Sequence, residues 1–275
     1  MIALLAMVVG VTLVQTPAAD ARKAFDEAEA LFGKTENEKA LAAYDKAISL
    51  DPKQPDYHVG RCRTLARLMR HKEGIESCSE ALKIDPNHPT ALLERGHFLI
   101  NTRQAEKAIP DLLKARELGA DAYGVGYHLP LAYYVTGDFK KAADEYPACH
   151  ANAKTDDNRV ACTAWEYVAL LRAGRKEDAA KVLERVTPDT KVQSSAAYLD
   201  RLLLFKGVRK EEDVAQAMQK DNLQLPTVAY GLGVWHLVNG RQDKAREYFQ
   251  KATAPPAQQS GFGSVASYYE LQRMK

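Results

Sequence analysis

The chain has 275 residues, 46% of them hydrophobic, which suits one large domain or a repeat array and excludes a disordered chain. Its 38 basic and 36 acidic residues are interspersed and leave a formal charge of +2, so no basic face stands ready for a phosphate backbone and no nucleic acid partner is expected. Only 12 Pro interrupt a sequence rich in Ala and Leu, and a mainly α chain follows.

Residues 2–14 form a charge-free apolar run, shorter than the roughly 20 residues that span a bilayer and suited to the central region of a signal peptide. Small residues for a cut follow at Ala19-x-Ala21, with Thr16-x-Ala18 second, so residues 1–21 read as a signal peptide and 22–275 as the mature chain. No Lys or Arg precedes the run, which leaves an uncleaved inner-membrane anchor as the alternative. The first Cys is Cys62, too far along for lipid attachment near the cut.

From residue 21 the sequence returns on itself every 34 residues. Asp51-Pro52 recurs as Asp85-Pro86, Pro55 as Pro89, Ala47 as Ala81 and Ala115, and Ala40 as Gly74, Ala108 and Ala142. Units 21–54, 55–88, 89–122 and 123–156 place Ala28, Cys62, Gly96 and Pro130 at position 8. Position 24 holds Tyr44, Cys78, Leu112 and Tyr146, and position 27 holds Ala47, Ala81, Ala115 and Cys149. Small residues allow two antiparallel helices to cross closely while large ones fill the space toward the next pair. Pro52 and Pro86 end the second helix of their units, lacking an amide hydrogen and clashing with the turn before.

A fifth unit, 160–190, is displaced by three extra residues near 155–158, which read as a longer loop. Helical stretches 194–206 and 211–220 make an irregular sixth hairpin within 194–221. Unit 226–259 restores the pattern with Gly233 at position 8, Gly240-Arg241-Gln242-Asp243 in the turn, then Ala245, Phe249 and Ala252. Residues 260–275 carry Phe262, Val265, Tyr269 and Met274 near helical spacing, as a capping helix does.

The pattern resembles the tetratricopeptide repeat family. It does so on Ala28, Ala40, Tyr44, Ala47 and Pro52 in the first unit, and on Gly137-Asp138-Phe139, Ala142 and Tyr146 in the fourth. The resemblance implies an all-α, right-handed superhelical solenoid of about seven antiparallel helix hairpins with a C-terminal cap. The order of units is also similar to bacterial envelope tetratricopeptide lipoproteins that serve as adaptors for periplasmic proteases and peptidoglycan hydrolases, although the chain lacks their lipidation Cys. It implies an exported, periplasmic or secreted, non-catalytic scaffold that holds a protein or peptide in its concave groove. The membrane enters only through an uncleaved N-terminal segment, which would make the chain an anchored assembly factor.

The four cysteines pass a geometric test. Cys62 and Cys78 are equidistant from residue 70, in the turn of the second unit, and Cys149 and Cys162 from a point between residues 155 and 156. Residues placed symmetrically about an antiparallel turn face each other, so export would let them close as Cys62–Cys78 and Cys149–Cys162. Four small buried thiols are the alternative. Neither C-x-x-C nor H-E-x-x-H occurs, so no metal and no cofactor are expected. Cys149 and His150 are neighbours on a helix and face different ways, a poor nucleophile and base; an enzyme would need a site of unrecognised type.

In stacked hairpins of this family, unit positions 5, 9 and 12 look into the groove. They are Phe25, Glu29 and Phe32, then Val59, Arg63 and Ala66, then Leu93, His97 and Ile100, then Tyr127, Leu131 and Tyr134, with Trp165 and Val168 near the same line and Tyr230 and Val234 in the last unit. Arg63 and His97 are the expected polar anchors, and Tyr127, Tyr134, Trp165 and Tyr230 the aromatic ones. Several of these positions, Phe25, Leu93 and Leu131 above all, can instead pack between hairpins.

Overall fold

Proline opens the first helix of each of the first three hairpins. A computed structural model describes residues 16–220, 224–255 and 261–275. In it α1 (Pro17–Gly33), α3 (Pro55–Arg67) and α5 (Pro89–Asn101) begin at Pro, whose fixed φ and missing amide suit a first helical turn. Their return helices are α2 (Asn37–Leu50), α4 (His71–Ile84) and α6 (Ala105–Glu117). The array continues as α7 (Ala122–Thr136) with α8 (Phe139–Asn152), α9 (Asp156–Arg172) with α10 (Lys176–Leu183), α11 (Ala196–Phe205) with α12 (Glu211–Lys220), and α13 (Leu225–Val238) with α14 (Gln242–Thr253). Helix α15 (Gly261–Arg273) follows, and no strand occurs among the described residues. Of the expected signal peptide, residues 1–21, the first 15 lie outside them. Helix α1 starts at Pro17, capped by the Thr16 side chain, so a cut after Ala21 would remove its first turn along with the fully buried Ala21.

Within a hairpin, positions 8 and 24 meet. A Cβ on Gly96 would come within 2.7 Å of Leu112 Cγ, so the bulk at one position is accommodated by the missing side chain at the other. In the second hairpin the same two positions are Cys62 and Cys78, which form a disulfide with Cα atoms 5.5 Å apart. Cys149 and Cys162 bridge α8 to α9, with Cα atoms 5.9 Å apart. Among the described residues no cysteine is free.

The hairpin turns carry a second periodic feature. Thr35, Met69, Arg103 and Gly137, each 34 residues after the last, adopt left-handed φ of 61°, 56°, 62° and 97°. Only the fourth is the glycine that this conformation favours. Gly174 and Gly240 take the same role in later turns.

The extra residues near 155–158 lengthen a helix, where a longer loop was expected. Thr155 Oγ1 accepts the Asn158 amide (3.2 Å), and Asp156 and Asp157 occupy the first turn of α9, where acidic groups complement the helix dipole. Asp157 also accepts the amides of Gln193 (3.1 Å), Ser194 (2.7 Å) and Ser195 (2.7 Å), tying down the segment that leads into α11. Those backbone donors, Gln193 first, hold its carboxyl well below the usual range.

Candidate functional site

The inner helices divide into two zones. Along α1 and α3 the concave face remains open: Phe25, Glu29, Arg63 and Ala66 are half-buried. The Arg63 guanidinium lies 4.7 Å from the Phe32 ring centroid and is in no ion pair with a described residue, while that of Arg67 covers the same ring at 3.4 Å and donates to Phe32 O at 2.6 Å. Glu29 accepts a short hydrogen bond from Tyr44. One free cation, one carboxylate and an aromatic floor thus share this stretch.

From α5 onward the superhelix closes on itself. Tyr134, Trp165 and Tyr230 are fully buried and Tyr127 is 8% exposed, so these four side chains are brought together as a core and do not line an open groove. Trp165 stacks on Tyr230 with centroids 5.2 Å apart, meets Tyr134 edge-on at 5.7 Å, and donates from Nε1 to Tyr127 Oη at 2.9 Å. Tyr230 Oη donates to Tyr134 Oη at 2.5 Å, joining α13 to α7 across the former groove. The physical reason is that the inner faces of α7, α9 and α13 are almost free of charge, and apolar surfaces curved toward one another exclude water. Burial pushes the Tyr134 hydroxyl up to about 12 and those of Tyr127 and Tyr230 well above their ordinary value.

Helix α15 completes the closure. It packs on α13 and α14 as a cap should, and also reaches α5 and α7. Phe262 fits among His97, Tyr127 and His128, with centroids 5.7, 5.8 and 5.6 Å away. Glu270, 1% exposed, pairs with Arg172 and with Arg273 (3.2 Å), and Arg273 donates to Val135 O at the end of α7. His97 therefore sits at the boundary between the zones, stacked on Phe98 and tilted against His128 at 4.9 Å, with its side chain 23% exposed. His128 donates from Nδ1 to Gly124 O at 2.8 Å, and burial, reinforced by the His97 charge, pushes its pKa down to about 3. The roles of Phe262 and Glu270 escape a repeat-based reading. The signal that would have found the closed zone is the charge-free sequence of α7 and α13.

No helix of the described residues is long and apolar enough to cross a membrane. Nor do three or more His, Cys, Asp or Glu gather among the described residues as a metal ion would require.

Residues 19–89 match the tetratricopeptide repeat family. The chain is 37% identical over 86 residues to DnaJ protein P58IPK homolog B of Oryza sativa subsp. japonica, covering 30% of this chain and 18% of that protein. It is 30% identical over 148 residues to the TPR repeat-containing thioredoxin TTL4 of Arabidopsis thaliana, covering 51% and 22%. The chain thus spans about a fifth of the length of these curated relatives. Among solved structures, pilF of Pseudomonas aeruginosa aligns over 94% of this chain and 99% of its own at a TM-score of 0.54 and 16% identity. YrrB, described as a TPR protein with an unusual peptide-binding site, aligns over 62% and 88% at 0.53 and 22% identity. These two share the fold. Residues that match the family at one end are thus followed by helix hairpins of the same fold along nearly the whole length.

Proposed function

We propose that the protein is a non-catalytic interaction scaffold of the bacterial cell envelope that holds an extended peptide, or one face of a partner helix, on the open concave stretch of α1, α3 and α5. The observation that carries this reading is the contrast between the zones. Inner positions after α5 are satisfied by the chain itself, whereas the Arg63 guanidinium, in no ion pair among the described residues, lies over Phe32 on the same stretch as half-buried Phe25 and Ala66. A carboxylate or backbone carbonyl on Arg63 and an apolar side chain against Phe25 are the contacts this surface offers, with His97 as a second polar anchor at the boundary. YrrB's peptide-binding site supports the class of ligand. The two disulfides and the apolar run at residues 2–14 support an exported location.

The test is peptide display against the purified chain, with selected sequences mapped by photo-crosslinking. Binders should crosslink to α1, α3 or α5 and lose affinity about tenfold or more on Arg63→Glu, the reversal of one charge-assisted contact, at an unchanged melting midpoint. Binders that map to α8, α10 or α12, or that ignore Arg63→Glu, would remove the reading.

A further inference from the structure

Arg201 has no role in the repeat pattern, and it is 1% exposed on the inner side of α11. Its guanidinium carbon lies 5.1 Å from the Trp165 ring centroid, 5.2 Å from Tyr198 and 5.6 Å from Tyr230. Rings facing a guanidinium interact with its charge, but its N–H bonds lie in its own plane and need acceptors there. Nε, Nη1 and Nη2 find none among the described residues. The carboxylates nearby are committed elsewhere: Glu166 to Arg185 at 2.5 Å, Asp200 to Arg209 at 3.0 Å, and Glu270 to Arg172 and Arg273. A second buried donor, Tyr146 Oη, also lacks a partner, and it is close enough to feel the Arg201 charge.

The fold makes room for this side chain. A Cβ on Gly231 would fall 2.5 Å from Arg201 Cδ, so α13 carries glycine where the Arg201 stem crosses it. An unpaired buried charge is among the most destabilising features a fold can hold, and a chain with no use for it would keep an aliphatic residue there.

The geometry points to a buried site for one compact monovalent anion, a halide or a formate-sized carboxylate, held by the Arg201 guanidinium with help from the Tyr146 hydroxyl inside the closed half of the superhelix. One negative charge balances one guanidinium, and a small ion in the guanidinium plane meets the N–H donors that lack acceptors among the described residues. Bound there, the ion ties α11 to α8, and its affinity adds to the stability of the closed zone by mass action. The site is independent of the peptide surface on α1 and α3.

Trp165 is a built-in reporter, since the chain has only two Trp. In a Trp235→Phe background, bromide is titrated at constant ionic strength against gluconate, which is too large to enter. The expected result is saturable quenching of Trp165 that chloride or formate competes away. Arg201→Met should abolish it, and Tyr146→Phe should weaken the affinity about fivefold, the loss of one hydrogen bond. Bromide at ten times its half-saturation concentration should raise the melting midpoint by a few degrees, about 3 °C, over gluconate. Quenching that is absent or strictly linear in bromide, or that stays saturable in Arg201→Met, overturns the proposal. Should Arg201→Met fail to fold, Tyr146→Phe, which keeps the ring, decides: an affinity equal to that of the Trp235→Phe parent overturns it.

Discussion

Replacing Trp165 by Ala should cripple the fold. Its indole is fully buried, stacked on Tyr230, edge-on to Tyr134, bonded through Nε1 to Tyr127 and adjacent to the Arg201 charge. Truncating a core Trp costs about 3–5 kcal/mol in lost transfer energy and cavity. The lost hydrogen bond adds about 1 kcal/mol, because Tyr127 Oη retains Tyr198 at 3.2 Å, and the lost cation–π contact adds about 1 more. A total of about 5–7 kcal/mol, at roughly 2–4 °C per kcal/mol for a chain of this size, lowers the melting midpoint by about 10–28 °C. Arg63→Ala, on the open stretch, should move it by less than about 2 °C. Circular dichroism at 222 nm during heating, with urea titration as a check, reads both. If Trp165→Ala melts within about 2 °C of the parent while losing affinity for displayed peptides, then Trp165 faces a ligand, and the closed interior described above is wrong.

The disulfides close loops with separations of 16 and 13 residues, so reduction, or Cys-to-Ser replacement of either pair, should cost about 3 kcal/mol each on the chain-entropy account; non-reducing peptide mapping should find only Cys62–Cys78 and Cys149–Cys162. Thr35→Gly should stabilise the first hairpin turn by about 0.5–1 kcal/mol by relieving a left-handed β-branched residue, readable as a rise in the urea midpoint. Glu270→Gln should cost about 3 kcal/mol by leaving Arg172 and Arg273 without their buried carboxylate, and the thermal midpoint checks it. His128 stays neutral in the fold to about pH 3 but protonates near 6.5 when unfolded, so the unfolded chain binds the extra proton and stability falls on acidification through that window, by at most about 1.4 kcal/mol per pH unit. His150, held down to about 4 by burial and the Arg185 and Arg159 charges, acts in the same direction. His128→Gln should flatten the slope of urea stability against pH between 6.5 and 4. Asp157, held low, acts in the same direction at more acid pH: its contribution is present above the unfolded carboxylate pKa and is lost as the pH falls below it, starting at the acid end of His128's window.

Hairpins were legible because their determinants are local. A small residue at position 8 and a partner at position 24 are set within one unit, and the 34-residue spacing repeats the same solution until even the left-handed turn residues fall in register at 35, 69, 103 and 137. The cysteine geometry is local in the same sense, since symmetry about a turn is a property of one hairpin or one junction. Closure of the superhelix is not. Tyr134 and Tyr230 are 96 residues apart, and Arg103 and Tyr269 166, so a rule about neighbouring units says nothing of whether their side chains meet. The repeat rule therefore picks out positions one unit at a time, while what those positions look at is decided by curvature accumulated over several hairpins.

The sequence did hold a cue to that curvature, in charge rather than period. Inner helices bound to face water carry some charge at groove positions, as Glu29 does in α1 and Arg63 in α3, because an all-apolar inner face would leave a large exposed patch. Helix α7 has no Asp, Glu, Lys or Arg between Ala122 and Thr136, nor has α13 between Leu225 and Val238, and both are buried nearly all round. A helix apolar on every side needs cover on every side. The cover comes from α11, α13 and α15, so the aromatic residues that look most like ligand anchors are the ones the fold has already used. The same reasoning singles out the exceptions. A charged residue that the fold keeps inside such a helix layer, as with Arg201 on α11, is not explained by packing and calls for a ligand, whereas one that the fold leaves at the open end, as with Arg63, calls for a partner.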